Sequence, residues 1–155
     1  TTHGSAVFLN SIPGKTPVSF MHNLKHNHVL HESIIFFSMC IKESPYSKEE
    51  KRFEICELST GVYQVVAHLG FMETPDVPSL LKQLKGRAEL NGWEYEELST
   101  SFFLSRETIV PKKTKKLSSI QESTFAWMTK NSAKAADYFN IPSGRVVELG
   151  SQMNI

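Results

Sequence analysis

Four apolar residues in unbroken succession, Ile34-Ile35-Phe36-Phe37, constrain this chain more than any other feature. Successive side chains of a strand point to opposite faces of its sheet. A β-branched and aromatic run without polar alternation therefore needs cover on both faces. The stretch His31 to Lys42 that holds this run is expected to be the central strand of the sheet, covered on both faces.

The flanking segments extend that expectation. Ala6 to Asn10 reads as a buried strand, closed by the turn residues Ser11-Ile12-Pro13-Gly14. Thr16 and Pro17 suit a helix start, and Phe20, Met21 and Leu24 share one side of a helix reaching about Asn27. Glu43 to Lys51 is polar and broken at Pro45, so it is expected to be an exposed loop that tolerates insertion. Arg52 to Leu58 and Val62 to Leu69 flank Ser59-Thr60-Gly61 as a hairpin.

Thr74-Pro75-Asp76-Val77-Pro78 supplies turn and cap residues before Leu80, Leu81, Leu84 and Ala88, the buried side of a helix stopped at Gly92. Ser101 to Val110 reads as a strand, and the basic segment Lys112 to Lys116 after Pro111 as a solvated loop. From Ser119 to about Asn140, Phe125, Met128, Ser132, Ala135 and Phe139 recur at helical spacing, and Ile141-Pro142 ends that helix. Arg145 to Leu149 is the last strand. Helices between successive strands favour parallel neighbours. The expected fold is α/β: a single domain with a mixed, mostly parallel sheet, about three packed helices and one β-hairpin. Thr1 to His3 read as linker or cloning remnant, and residues 4–155 as the domain.

Apolar residues at 40% and charged residues at 21% are a globular mix. With 17 basic and 16 acidic residues the net charge is +1, which speaks against nucleic-acid binding. The densest apolar run, Ile34 to Ile41, is broken by Ser38 and falls far short of the roughly 20 residues a spanning helix needs. The apolar start without an initiator Met reads as a piece of a longer chain. Cys40 and Cys56 sit in apolar stretches without CxxC spacing, so buried reduced thiols are expected rather than a disulfide or a zinc site.

Chemistry-bearing residues are few. His22 and His26 stand one helical turn apart and are candidate metal ligands, with His28 and His31 nearby. Three or four converging ligands would be needed, so caps or polar contacts compete with that reading. Neither GxxxxGK[ST], GxGxxG nor GxSxG occurs. Arg106 and Arg145 each adjoin an apolar strand and are candidate ligand-binding residues, since guanidinium grips phosphate bidentately. Arg106 with Glu107 equally suits a structural ion pair. No catalytic residue and no cofactor is expected.

Particular strings say more than periodicity does. Gly4-Ser5-Ala6-Val7-Phe8-Leu9, His22 to Asn27 and Val29-Leu30-His31-Glu32 come first. Gly70-Phe71-Met72-Glu73, Pro75-Asp76-Val77-Pro78 and Ser101 to Thr108 follow. Toward the end stand Asn131, Ala133, Ala136, Tyr138-Phe139, Ile141-Pro142 and Arg145 to Gly150. In this order they resemble the C-terminal cytoplasmic domain of Kup-type (KUP/HAK/KT family) potassium transporters, with Gln152 to Ile155 similar to the family's terminus. Ser105 departs from the glycine expected there.

The resemblance implies a cytosolic part of a membrane protein that takes up potassium with protons, lying at the inner face of a bacterial membrane and serving regulation or assembly. The implied partners are the transmembrane part of the same transporter and a second copy of the chain. Two other readings stand beside this one. The chain could sense a nucleotide such as cyclic di-AMP through Arg106 and Arg145, or it could be a free-standing α/β enzyme.

Overall fold

The computed structural model describes residues 2–10, 12–107 and 140–151. The elements are β1 (Thr2–Asn10), α1 (Val18–Asn27), β2 (His31–Lys42), β3 (Phe53–Ser59), β4 (Val62–Gly70), α2 (Val77–Gln83), β5 (Thr100–Glu107) and β6 (Val146–Ser151). Short 3-10 turns occupy Glu49–Lys51, Ala88–Leu90 and Ser143–Arg145. The expected helix over 119–140 apart from Asn140, the strand end at 108–110 and the lysine-rich loop at 112–116 lie outside the described residues.

All six strands form one sheet in the order β3-β4-β2-β1-β5-β6. Every pairing is parallel except that of β3 with β4, the expected hairpin. β2 is one of the two central strands, and its bounds are those expected from the sequence.

The run at 34–37 is covered on both faces, as its composition requires. Ile35 and Phe37 pack with Val7, Val65, Leu69 and Phe102 beneath α2, where Val77, Leu80, Leu81 and Leu84 close the larger core. Ile34 and Phe36 join Ala6, Phe8 and Phe103 on the opposite face, against Phe20 of α1. There the Phe8 and Phe103 rings stack at 4.5 Å, and Phe20 meets Phe8 edge-on at 5.3 Å.

Several expectations are corrected. β1 starts at Thr2, whose amide donates to the Leu30 carbonyl at 2.8 Å. α2 is shorter than expected: the chain takes a positive φ at Gly86, and Ala88 lies exposed in a 3-10 turn while Leu90 fills the core instead. In α1 the buried residues are Ser19 and Asn23, whereas Met21 and Leu24 are exposed. Asn23 turns inward because its amide donates to the Val29 carbonyl at 3.2 Å and its oxygen accepts from Asn27 at 2.8 Å, closing the helix end onto the loop before β2. Both cysteines are free, but Cys56 is exposed on edge strand β3 and Cys40 is half-buried.

The stretch Glu43 to Lys51 is exposed as expected, with only Ser47 half-buried, but it is tied down. Phe71 and Met72 amides donate to the Ser44 and Pro45 carbonyls at 3.0 Å, so this segment is stitched to the one that follows β4.

Candidate functional site

Where β1 lies between β2 and β5, the chain leaves for one side of the sheet first and for the other side later. Open α/β sheets offer their crevice at such a switch point, outside the carboxyl ends of the strands. At that end β1 gives way to a tight loop. The Asn10 side-chain amide donates to the Ile12 carbonyl at 2.7 Å and to the Lys15 carbonyl at 2.6 Å, and Gly14 takes φ +82°. The loop delivers the chain to α1 through Pro17, with no side-chain cap on the helix start.

Arg106 is placed at this end, near the close of β5, in register with Gly150 of β6. Arg145 is not. It immediately precedes Val146, which pairs with Phe102, so the two arginines sit five register positions apart, about 16 Å along the parallel strands. The pattern of apolar strands flanked by arginine was legible in the sequence, but the register that separates them was not.

His22 and His26 do come together. Their rings stack at 5.9 Å with an interplanar angle of 9°, His26 exposed and His22 half-buried. Among the described residues no group of three or more His, Cys, Asp or Glu side chains converges as a metal site would require. His31 lies apart, its ring 6.0 Å from that of Phe103, and burial pushes its pKa below the ordinary value.

The most constrained polar assembly is one the sequence did not reveal. Glu73 Oε1 lies 2.6 Å from Arg52 Nη2, while Glu73 Oε2 accepts from the amides of Gly70 at 2.6 Å and Ser47 at 2.9 Å. Burial alone would raise the carboxyl's pKa. The two amides and the guanidinium outweigh it and hold Glu73 below the usual carboxylate range. Both side chains are largely buried, and the assembly fastens the loop after β2 to the loop after β4. Gly70 belongs to it: a Cβ there would run into the Pro45 carbonyl. The only hint in the sequence was the string Gly70-Phe71-Met72-Glu73 itself.

A second polar contact lies on the face opposite α2. His68 Nε2 stands 2.9 Å from Glu54 Oε1, in the row where Cys40 pairs with His68 across the strands. Burial first, then the Glu54 charge, pushes the Cys40 thiol up, so it is a poor nucleophile.

No helix among the described residues is long and apolar enough to cross a membrane. No solved structure matches the chain. Its curated relatives are more telling. It is 43% identical over 98% of its length to a "Probable potassium transport system protein Kup" of Cupriavidus metallidurans, of which it covers 24%. It is 44% identical over the same share to a protein of that name from Burkholderia mallei, again covering 24%. The chain thus spans about a quarter of the length of the curated relatives it matches. Residues 3–155 match the family described as K+ potassium transporter C-terminal domain, and the chain belongs to that family.

Proposed function

We propose that this chain is the cytosolic C-terminal domain of a membrane potassium/proton symporter and that it tunes or stabilises the transporter without catalysing a reaction itself. The observation that carries this reading is the family match over residues 3–155, combined with relatives about four times as long that are named for potassium transport. The double-sided core supports it, since each face of the sheet is closed by the domain's own helices and residues. Removing residues 4–155 from the parent protein lowers potassium uptake per transporter or the amount of transporter in the membrane. Unchanged uptake at equal protein level would sink the reading.

A second reading is favoured by one observation, the switch point between β1 and β5 with Arg106 at its open end. A nucleotide such as cyclic di-AMP would seat its phosphate there and control the transporter. The register leaves Arg145 outside such a site. Ligand at 100 times its dissociation constant adds about 2.7 kcal/mol of stability, so a melting screen of the domain with cyclic di-AMP and other nucleotides decides it. Absence of a shift with every nucleotide removes this reading.

A further inference from the structure

We propose that the edge of the sheet where the parallel strands begin docks onto basic cytoplasmic loops of the same transporter's membrane part. The proposal rests on the cytosolic reading above.

The parallel sheet gathers the starts of β1, β2, β4, β5 and β6 and the end of β3 along one edge. Exposed aliphatic side chains line that edge: Leu58, Val29, Leu30 and Leu98. Leu98 is 82% exposed, more than any other large apolar residue described. Two of these leucines bracket the first strand. Thr2 donates to the Leu30 carbonyl at 2.8 Å on one side, and Ser5 donates to the carbonyl of Ser99, next to Leu98, at 3.0 Å on the other. Because the family is a C-terminal domain and the relatives are about four times as long, the rest of the polypeptide joins at β1, between these leucines.

The apolar groups are held out rigidly. Ser99 closes the turn that presents Leu98, its amide donating to the Glu96 carbonyl at 3.2 Å and its hydroxyl to the Glu96 carboxylate at 3.1 Å. That turn lies so close to β1 that a Cβ at Gly4, where φ is +101°, would stand 2.5 Å from the Ser99 carbonyl oxygen. Gly61 is pressed in the same way against the Glu32 carbonyl, which seats the hairpin turn beside Leu58 on the start of β2. Rigid presentation lowers the ordering cost of binding.

Charge selects the occupant. Among the described residues Glu57, Glu96 and Glu97 are exposed along this edge and Glu32 lies 2.8 Å from His3 Nδ1, against the flanking cations Lys25 and Arg145. An acidic rim disfavours an anionic lipid surface. It complements loops rich in Lys and Arg, the composition that cytoplasmic loops of membrane proteins carry. The opposite edge offers an internal comparison. Tyr46, Phe71 and Met72 are also exposed there, but the length of β4 sets them about 30 Å from the join at β1.

The test places a photo-crosslinking amino acid at position 98, and separately at position 72, of the full-length transporter in native membranes, and locates the crosslinked peptides by mass spectrometry. Position 98 is expected to crosslink to basic cytoplasmic loops of the same polypeptide, and position 72 not to. Glu96→Lys with Glu97→Lys is expected to lower the yield at position 98 about fivefold, the scale of exposed charge pairs. Crosslinks from position 98 to lipid or to a second copy, or equal yields from both positions, would overturn the proposal. A separate control keeps the two readings apart. If a membrane-impermeant reagent labels Cys56 in intact cells, the cytosolic reading fails. If Cys56 is protected while position 98 behaves like position 72, the docking surface alone fails.

Discussion

Arg52 Nη2 stands 2.6 Å from Glu73 Oε1, joining residues on either side of the hairpin, while the other carboxylate oxygen takes the amides of Ser47 and Gly70. Removing the carboxylate leaves a largely buried guanidinium without its partner. Glu73→Ala is expected to cost about 3 kcal/mol, read from chemical denaturation at pH 7. The pH dependence has a definite sign. Because the folded-state pKa is depressed, the contribution is fully present above the ordinary carboxylate value of 4.5 and is lost as pH falls through the lower folded-state value. The acid limb of wild-type stability should therefore be steeper below pH 4.5 than that of Glu73→Gln. Equal limbs would contradict the assembly.

Gly70 supplies a separate test of the same region. Alanine adds one methyl group that meets the Pro45 backbone, so the two loops must part. Gly70→Ala should destabilise by about 2 kcal/mol, and hydrogen exchange at the Phe71 and Met72 amides should accelerate. Slow exchange retained at those amides would show that the stitching survives without the close approach.

Trp93 donates through Nε1 to Ser5 Oγ at 2.8 Å, a buried bond that spans most of the described chain. Ser5→Ala strands the indole donor and is expected to cost about 1 to 2 kcal/mol. Fluorescence in a Trp127→Phe background, where Trp93 is the sole reporter, should shift in wavelength. Unaltered stability and emission would mean that water replaces the hydroxyl.

His31 carries a milder signature. Burial holds its folded-state pKa below 6.5, so the unfolded chain binds the proton more readily and stability declines as pH drops below 6.5. His31→Gln should flatten the change in denaturation midpoint between pH 7.5 and pH 5.5. A wild-type midpoint that rises on acidification would carry the opposite sign and refute the assignment.

Legibility followed the range of the interactions. The β2 strand announced itself because four adjacent apolar side chains permit few other environments, and Asp76 announced the start of α2, where its carboxylate accepts from the Ser79 amide at 3.1 Å. Both are local effects. The end of α2 was misjudged because Ala88 suited the helical period, while Gly86 released the chain and left the core position to Leu90. Met21 and Leu24 were misjudged because apolarity alone cannot tell which side of α1 approaches the sheet, and the buried polar Asn23 decided it. Glu73 was opaque because two of its three partners, Ser47 and Arg52, lie 26 and 21 residues away along the chain. The distance between Arg106 and Arg145 depends on strand register, which one sequence does not encode in any local pattern.

The position of β1 bears on how the chain is made. It is first in sequence yet interior in the sheet, bonded to β2 on one side and to β5 on the other. On the ribosome it can pair with β2 soon after Lys42 emerges, but its other edge waits for Phe103, about 60 residues later, or roughly 3 to 12 s at ordinary synthesis rates. During that interval the amides of Ser5 and Val7, which face the β5 side, form an open template. Nascent chains halted between residues 45 and 100 should therefore be the ones that most need a chaperone.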